Sequence, residues 1–399
     1  MRDFYARKSK VRYFLAFGGG AVRGMAYTGA VKALREFNIE PAGFAGSSVG
    51  AVFAAFCAVM KDFSEFDKLF FDFNAFMFKD VNFSVAAPDF AISKGDIFEN
   101  WVREIIERSY YEDFYTEKNN IPVKFADLES NLYIYATDLK TNKRVVFSKE
   151  TTPTFEVAKA VRISAGFPGL MVPVEYDGML LVDGDISKPY PLWTGIEAVN
   201  SPDVTVLEFR LEGCRDCFNP KNVLDYFNSV YSSFSNFCTA GLSKLYDDKE
   251  KYNIIVIDTK DVMFLDFMLS EEKRKILAKT GYDTVLDFLI RRLPEKNGKF
   301  AEIYKNLTSG LKEIKNLIKL GGANDFKVAV ADFLTMNSEE LKLVEENFTA
   351  RVENLFKEIF EKGVRKSFFR IRTVRNREEY SAKVSELIDY CVAKQSIFS

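Results

Sequence analysis

The sequence predicts an α/β protein with a mostly parallel central sheet covered by helices, followed by a helical C-terminal extension. Short β-rich runs alternate with stretches of helical spacing as far as residue 292, which is typical of parallel strands joined by crossover helices. Beyond residue 294 the strand signals give way to Lys/Glu-rich helical periodicity. With 399 residues, 47% of them hydrophobic, the chain can bury a full core.

The first sixty residues show this alternation most clearly. A β-rich run at residues 11–17 ends in the glycines at 18–20, and residues 25–37 carry apolar side chains at helical spacing. A second short run at 44–46 leads through a tight turn into a helix of small residues at 51–60. This order predicts two parallel strands, each followed by a helix.

Further strands are predicted in five later segments, each bounded by turn or charged residues: residues 132–137, 144–147, 179–182, 204–209 and 253–257. Pro294 marks the change to helical texture. We therefore expect a lead-in at 1–10, an α/β domain at 11–293 and a helical extension at 294–399.

The composition excludes several classes of active site. The chain contains no histidine, which excludes a Ser-His-Asp triad, a Cys-His dyad and an HExxH zinc site. Its 55 basic and 57 acidic residues give no general attraction to nucleic acid. Among its five cysteines, Cys214 and Cys217 form a CxxC motif without a second pair, so neither a disulfide framework nor a metal site is expected.

The start of the chain has no apolar run typical of a signal peptide, and no later stretch reaches the roughly 18 residues that a membrane span needs. We therefore expect a cytoplasmic protein without a transmembrane segment.

A GxSxG motif, Gly46-Ser47-Ser48-Val49-Gly50, lies between a predicted strand and a predicted helix. This is the setting of a nucleophile elbow, whose strained turn exposes the central hydroxyl at a helix N-terminus. Ser48 is the central residue and the candidate nucleophile. A plain small-residue turn is the alternative interpretation.

A glycine-rich loop at residues 18–24 follows the first predicted strand and begins a helix. Backbone N–H groups in such a loop can form an oxyanion hole or a phosphate cradle. A dinucleotide site is a weaker alternative, because GxGxxG would place its third glycine where Arg23 stands. The Gly-Lys-Ser/Thr of a Walker loop is missing.

Asp183 ends an apolar run and precedes a turn, in the sequence Leu181-Val182-Asp183-Gly184-Asp185. Because the chain has no histidine, a serine nucleophile needs another proton acceptor, and a carboxylate beside its hydroxyl is the simplest one. Burial would raise the pKa of this carboxyl group and make it a better base. An ordinary Asp-Gly turn is the alternative.

Together, these motifs and two further segments resemble the patatin-like phospholipase family, which uses a Ser-Asp dyad. Five blocks in order carry the resemblance: FGGGAVRGMAYTGAVKAL at 17–34, GSSVGA at 46–51, YATDLKTNKRVVFS at 135–148, AVRISAGFPGLMVPV at 160–174 and LVDGDISKPYP at 181–191. The resemblance implies a three-layer α/β/α fold and hydrolysis of lipid carboxylic esters without metal or organic cofactor.

The resemblance also implies roles for single residues. It makes Ser48 the nucleophile and Asp183 its base, and it places the oxyanion hole at Gly19, Gly20 and Ala21. Arg23 would fix the glycine loop or meet a phosphate, with a structural ion pair as the alternative. The family's Asp-Gly-Gly/Ala is here Asp183-Gly184-Asp185, so a second carboxylate stands beside the dyad.

A phenylalanine stripe follows the GxSxG helix at helical spacing. It consists of Phe63, Phe66, Phe70, Phe73 and Met77 and is widened by Phe71, Phe76, Phe78 and Phe83. The stripe predicts a lid or an acyl-pocket wall, with Phe66 and Phe70 as candidate substrate contacts, or an ordinary core face.

A basic segment near the C-terminus predicts contact with an anionic membrane surface. Its members are Lys362, Arg365, Lys366, Arg370 and Arg372, with Phe368, Phe369 and Ile371 interleaved. A solvated helix face, or pairing with the acidic stretch at 339–346, is the alternative.

The sequence thus predicts a serine acyl hydrolase that cleaves phospholipid or lysophospholipid esters. A catalytically silent module that binds a membrane or partner protein, and an acyltransferase, are the alternatives.

Overall fold

The computed structural model describes residues 12–60, 66–71, 91–115, 121–187, 204–213, 226, 229–230, 233, 252–264, 266, 269–292, 294–320, 323–338, 341, 344, 346–365, 373–374 and 376–398. The chain divides into two compact units. The first comprises Met1–Ala33 and Ile39–Val285, and the second comprises Leu34–Asn38 and Leu286–Ser399.

A mixed, mostly parallel sheet forms the centre of the first unit. Its strands are β1 (Arg12–Phe17), β2 (Pro41–Gly46), β4 (Leu132–Asp138), β5 (Lys143–Phe147), β7 (Val174–Tyr176), β8 (Met179–Asp183), β9 (Val204–Glu212) and β10 (Tyr252–Asp258). The order is β10-β9-β1-β2-β4-β8-β7, and β5 also pairs with β4. Strands β10, β9, β1, β2 and β4 run parallel, whereas β5, β7 and β8 are antiparallel to their neighbours. Two short strands, β3 (Ala91–Ser93) and β6 (Gly169–Met171), pair separately.

Helices flank this sheet, as the sequence predicted. They are α1 (Met25–Glu36), α2 (Val49–Val59), α3 (Phe66–Phe71), α4 (Asp96–Tyr111), α5 (Val157–Ser164) and α6 (Glu271–Arg292). The predicted α/β fold with a mostly parallel sheet is therefore confirmed.

Aromatic packing fixes the ends of β1 and β9 against α1 and α2. The rings of Phe17 and Phe209 stack at 4.9 Å, and Tyr27 meets Phe53 edge to face at 5.3 Å. The Tyr27 hydroxyl lies 2.9 Å from the carbonyl oxygen of Gly18 and 3.0 Å from that of Phe209. Burial of these rings therefore also anchors the start of the glycine loop.

Helices α1 and α6 approach so closely that their backbones touch at two glycines. A Cβ atom on Gly29 would lie 1.8 Å from the carbonyl oxygen of Ala278, and one on Gly281 would lie 1.8 Å from that of Ala26. Neither position has room for a side chain, because the obstacle is backbone in both cases.

We expect Gly29→Ala to lower the free energy of unfolding by about 2 kcal/mol, because the methyl group forces the two helices apart. Gly298→Ala is the matched control, since Gly298 also lies in a helix and a Cβ there would meet nothing within 4 Å. The control should be neutral or slightly stabilising. Urea unfolding of both variants checks this, and equal midpoints would contradict the close crossing.

The second unit is mainly helical and includes the C-terminal helical region that the sequence predicted. Its helices are α7 (Pro294–Leu320), α8 (Ala323–Met336), α9 (Glu346–Glu358) and α10 (Arg377–Phe398), and a short hairpin pairs β11 (Val364–Arg365) with β12 (Thr373–Val374). Within this unit Phe398 stacks on Phe300 and Tyr304. Lys394 forms a buried ion pair with Glu36. The domain boundary near Pro294 stays a prediction.

Several predicted features lie outside the described residues: Cys214 and Cys217, most of the phenylalanine stripe, and Lys366, Arg370 and Arg372 of the basic segment. In the described part of the chain, no helix is both long and apolar enough to cross a membrane.

Candidate active site

Ser48 occupies a strained turn between β2 and α2. Its φ is 55°, in the left-handed region that a non-glycine residue rarely adopts. The two glycines of the motif are needed for packing. A Cβ atom on Gly46 would lie 2.2 Å from the Gly50 carbonyl oxygen, and one on Gly50 would lie 2.1 Å from the Phe17 carbonyl oxygen. The turn therefore has the geometry of a nucleophile elbow.

The structure brings Ser48 and Asp183 together, although 135 positions separate them in the chain. Strand β4 lies between β2 and β8, and Asp183 is the last residue of β8. The Ser48 hydroxyl donates a hydrogen bond of 2.7 Å to Asp183 Oδ2. A single carboxylate thus contacts the serine directly, without an intervening imidazole.

Burial raises the pKa of the Asp183 carboxyl group to about 7. The side chain is almost fully removed from solvent, which disfavours its charged form. Two hydrogen bonds act in the opposite direction: the Asp185 N–H donates to Oδ1 at 2.9 Å, and the Ser48 hydroxyl donates to Oδ2. A carboxyl group tuned to this range can accept a proton and return it near neutral pH.

Ser164 is a second hydroxyl residue at the elbow, and our sequence analysis did not single it out. It ends α5, and its Oγ accepts a 3.0 Å hydrogen bond from the Ser48 N–H. This contact uses the backbone donor of Ser48 and holds the turn in place. The segment AVRISAGFPG contains Ser164, but nothing in its local pattern distinguishes this hydroxyl.

The glycine loop passes directly beside Ser48. A Cβ atom on Gly19 would lie 2.8 Å from Ser48 Cβ and 1.7 Å from Asp185 Oδ2. Among the described residues, no backbone carbonyl accepts a hydrogen bond from the N–H of Gly19 or Gly20. Ala21, with φ of 46°, completes the turn and lines the adjacent pocket. The loop can therefore present backbone donors next to the serine.

Asp185 is also buried at this site, with a side chain that packs against the Cα of Gly19. Two buried carboxyl groups thus lie near the same serine.

Arg23 is not among the described residues that line the pocket over Ser48. Its Nε donates a 2.8 Å hydrogen bond to the Val262 carbonyl oxygen. Its guanidinium packs against Gly213, and a Cβ atom added to Gly213 would lie only 2.6 Å from the guanidinium. These contacts fit the fixing of the glycine loop, whereas contact of Arg23 with substrate stays a prediction.

A pocket of about 850 Å³, which includes space open to solvent, lies over Ser48. Most of its lining is apolar and comes from Val22, Met25, Val49, Val52, Phe53, Phe70, Phe98, Trp101, Phe167, Leu170, Met171, Phe264 and Leu269. Phe70 thus reaches the pocket, while Phe66 packs behind it at a ring distance of 5.2 Å. Contact of either ring with substrate stays a prediction.

In the described segments, no three Cys, Asp or Glu side chains lie close enough together to hold a metal ion.

Comparisons with known proteins agree with this architecture. Residues 15–195 match the family model of patatin-like phospholipases. Protein R571 of Acanthamoeba polyphaga mimivirus is 28% identical over 296 residues, which are 69% of this chain and 93% of R571. The NTE family protein Rv1063c of Mycobacterium tuberculosis is 32% identical over 200 residues, which are 50% of this chain and 49% of Rv1063c. The crystal structure of VipD from Legionella pneumophila shares the fold, with a TM-score of 0.50 at 16% identity over 98% of this chain and 90% of VipD.

The family match covers the glycine loop, the serine elbow and Asp183 together. The resemblance seen in the sequence is thereby confirmed. Residues 15–195 therefore form a patatin-like phospholipase domain.

Proposed function

We propose that the protein is a serine acyl hydrolase that cleaves phospholipid or lysophospholipid carboxylic esters with a Ser48-Asp183 dyad. The observation that carries this proposal is the 2.7 Å hydrogen bond to the buried Asp183 carboxylate from the hydroxyl of Ser48, which lines an apolar pocket. The family supports lipid hydrolysis in general. The dyad and the ester class are our proposal.

In the first step, Ser48 Oγ attacks the ester carbonyl carbon while its proton passes to Asp183 Oδ2. The charge that develops on the carbonyl oxygen is stabilised by the N–H groups of the glycine loop, from Gly19, Gly20 and Ala21. The bond to the alcohol then breaks, and Asp183 returns the proton to the leaving oxygen. An acyl-Ser48 ester and a free alcohol result.

In the second step, water attacks the acyl ester and gives a proton to Asp183. The fatty acid leaves as the proton returns to Ser48 Oγ, which restores the starting state. The apolar pocket suits the acyl chain, because its burial there removes the methylene groups from water.

Fatty-acid release from a panel of phospholipid, lysophospholipid and neutral esters tests the proposal. We expect turnover of at least one ester class, and inhibition by a long-chain fluorophosphonate. Wild-type protein that is folded but neither hydrolyses an ester nor reacts with the phosphonate would support a silent module instead. Acyl transfer to an added alcohol, with little free acid, would support an acyltransferase.

We expect kcat/KM to rise with pH through an apparent pKa of about 7. Asp183 must be ionised to accept the Ser48 proton, so the activity is lost as the pH falls through this value. A pH profile for a soluble ester checks this, and a limb near pH 4 would contradict the buried base.

We expect Asp185→Asn to move this acidic limb to lower pH by up to about one unit, because removal of a neighbouring carboxylate favours the ionised form of Asp183. The shift should exceed any loss of maximal rate. An unchanged pH profile would separate Asp185 from the dyad.

The proposal also includes a cytoplasmic location of the protein and contact of the basic segment with anionic lipid. Lys362 is an exposed member of that segment.

A further inference from the structure

One edge of the pocket over Ser48 is charged, in contrast to the rest of its lining. Among the described lining residues, the charged side chains are Asp266 and Arg274. Arg274 lies in the first turns of α6, and Asp266 lies in the segment between β10 and α6. Because the other walls are apolar, a charged group of a substrate in the pocket would interact mainly with this edge.

The segment that leads to the charged edge is hydrogen-bonded to the glycine loop. The Val22 N–H donates to the Phe264 carbonyl oxygen at 3.3 Å, and Arg23 Nε donates to the Val262 carbonyl oxygen at 2.8 Å. The aromatic wall comes from other elements, with Phe53 on α2 and Trp101 on α4. The pocket thus has an aromatic wall that suits an acyl chain. Its charged edge is separate from this wall and lies near the glycine loop, and that loop would bind the ester carbonyl oxygen.

Arg274 is positioned to recognise an anion. Its Nε donates a 3.1 Å hydrogen bond to the Leu269 carbonyl oxygen, which fixes the half-buried guanidinium at the pocket edge. Lys273 Nζ lies 4.0 Å from Asp266 Oδ2 and offsets part of its negative charge. A planar guanidinium held in place is suited to the paired oxygens of a phosphate.

We propose that Arg274 is a specificity-determining residue that selects esters whose leaving alcohol carries a phosphate over neutral esters with the same acyl chain. This inference rests on the proposed hydrolysis at Ser48. It adds a residue that reads the leaving group, which none of the sequence motifs contains. Contact with phosphate in the bound substrate is expected to lower KM more than it changes kcat.

Two substrates that differ only in the phosphate test the proposal. Monopalmitoylglycerol and palmitoyl lysophosphatidic acid carry the same ester, and both are presented at equal mole fraction in neutral detergent micelles. The measured quantity is the ratio of kcat/KM for the phosphorylated substrate to that for the neutral substrate. We expect this ratio to exceed one in the wild type.

Arg274→Gln should lower the ratio about tenfold or more, because a charge-assisted hydrogen bond is lost. Arg274→Lys should lower it less, since the charge remains. Lys275→Gln is the matched control, because Lys275 is the next residue on α6 and pairs with Glu271 outside the pocket lining. The control should keep the wild-type ratio.

An Arg274→Gln ratio equal to that of the wild type would overturn the proposal. An equal fall in Lys275→Gln would also overturn it, because general attraction to the micelle surface would then explain the selectivity. If Arg274→Gln fails to fold, the Arg274→Lys ratio decides, and a wild-type value there overturns the proposal. Wild-type protein that hydrolyses neither substrate would refute the proposed function itself.

Discussion

Asp183→Asn should lose ester turnover by about 10³-fold or more while the protein becomes more stable at pH 8. The amide cannot accept the Ser48 proton, so acylation loses its base. The same change removes a carboxylate whose charge is buried almost completely. Loss of activity with a gain in stability separates a catalytic role of Asp183 from a structural one.

The stability gain has a definite dependence on pH. Burial raises the pKa of Asp183 to about 7 in the folded protein, whereas an unfolded chain has a value of about 4. The wild type therefore loses stability relative to Asp183→Asn as the pH rises from about 4 to 7. Above pH 7 the difference should be on the order of 4 kcal/mol, and it should vanish below pH 4. Urea unfolding at pH 4 and pH 8 measures it, and a variant that is less stable at both values would contradict the buried, unfavourable charge.

Ser48→Ala should reduce turnover by about 10⁴-fold or more, because no other group can form the acyl ester. Ser47→Ala is the matched control. Ser47 is the adjacent residue in the same turn, and its buried hydroxyl has no hydrogen-bond partner among the described residues. The two variants remove the same atom from neighbouring positions, so only their place in the site differs.

We expect Ser47→Ala to keep turnover within about fivefold of the wild type, since no hydrogen bond is lost. Initial rates of fatty-acid release and melting temperatures should be measured for both variants. Equal losses of turnover in the two variants would mean that any substitution in this turn disrupts the site. Turnover by Ser48→Ala near the wild-type level would show that Ser48 is not the nucleophile.

The sequence predicted the parts of this fold and site that have local signals. The alternation of strand and helix patterns predicted the α/β class, because buried parallel strands and amphipathic helices have different periods. Ser48 and the glycine loop lie in turns that only small residues permit. Asp183 could be proposed because the chain has no histidine to serve as base.

Features that arise only from tertiary packing were not predictable. The order of strands places β4 between β2 and β8, and no local pattern encodes that neighbourhood. Ser164 binds the Ser48 N–H across 116 positions, and Arg274 reaches the pocket from a helix whose sequence resembles an exposed charged surface. Helical spacing likewise could not separate Phe70, which lines the pocket, from Phe66, which packs behind it.

The most direct test of the central claim is the position of a covalent adduct. Wild-type protein is treated with a long-chain fluorophosphonate, digested and analysed by peptide mass spectrometry, beside Asp183→Asn and Ser47→Ala. We predict one adduct on Ser48 in the wild type and in Ser47→Ala, and strongly slowed labelling in Asp183→Asn. An adduct on another residue, or labelling of Ser48 at the wild-type rate without Asp183, would contradict the dyad.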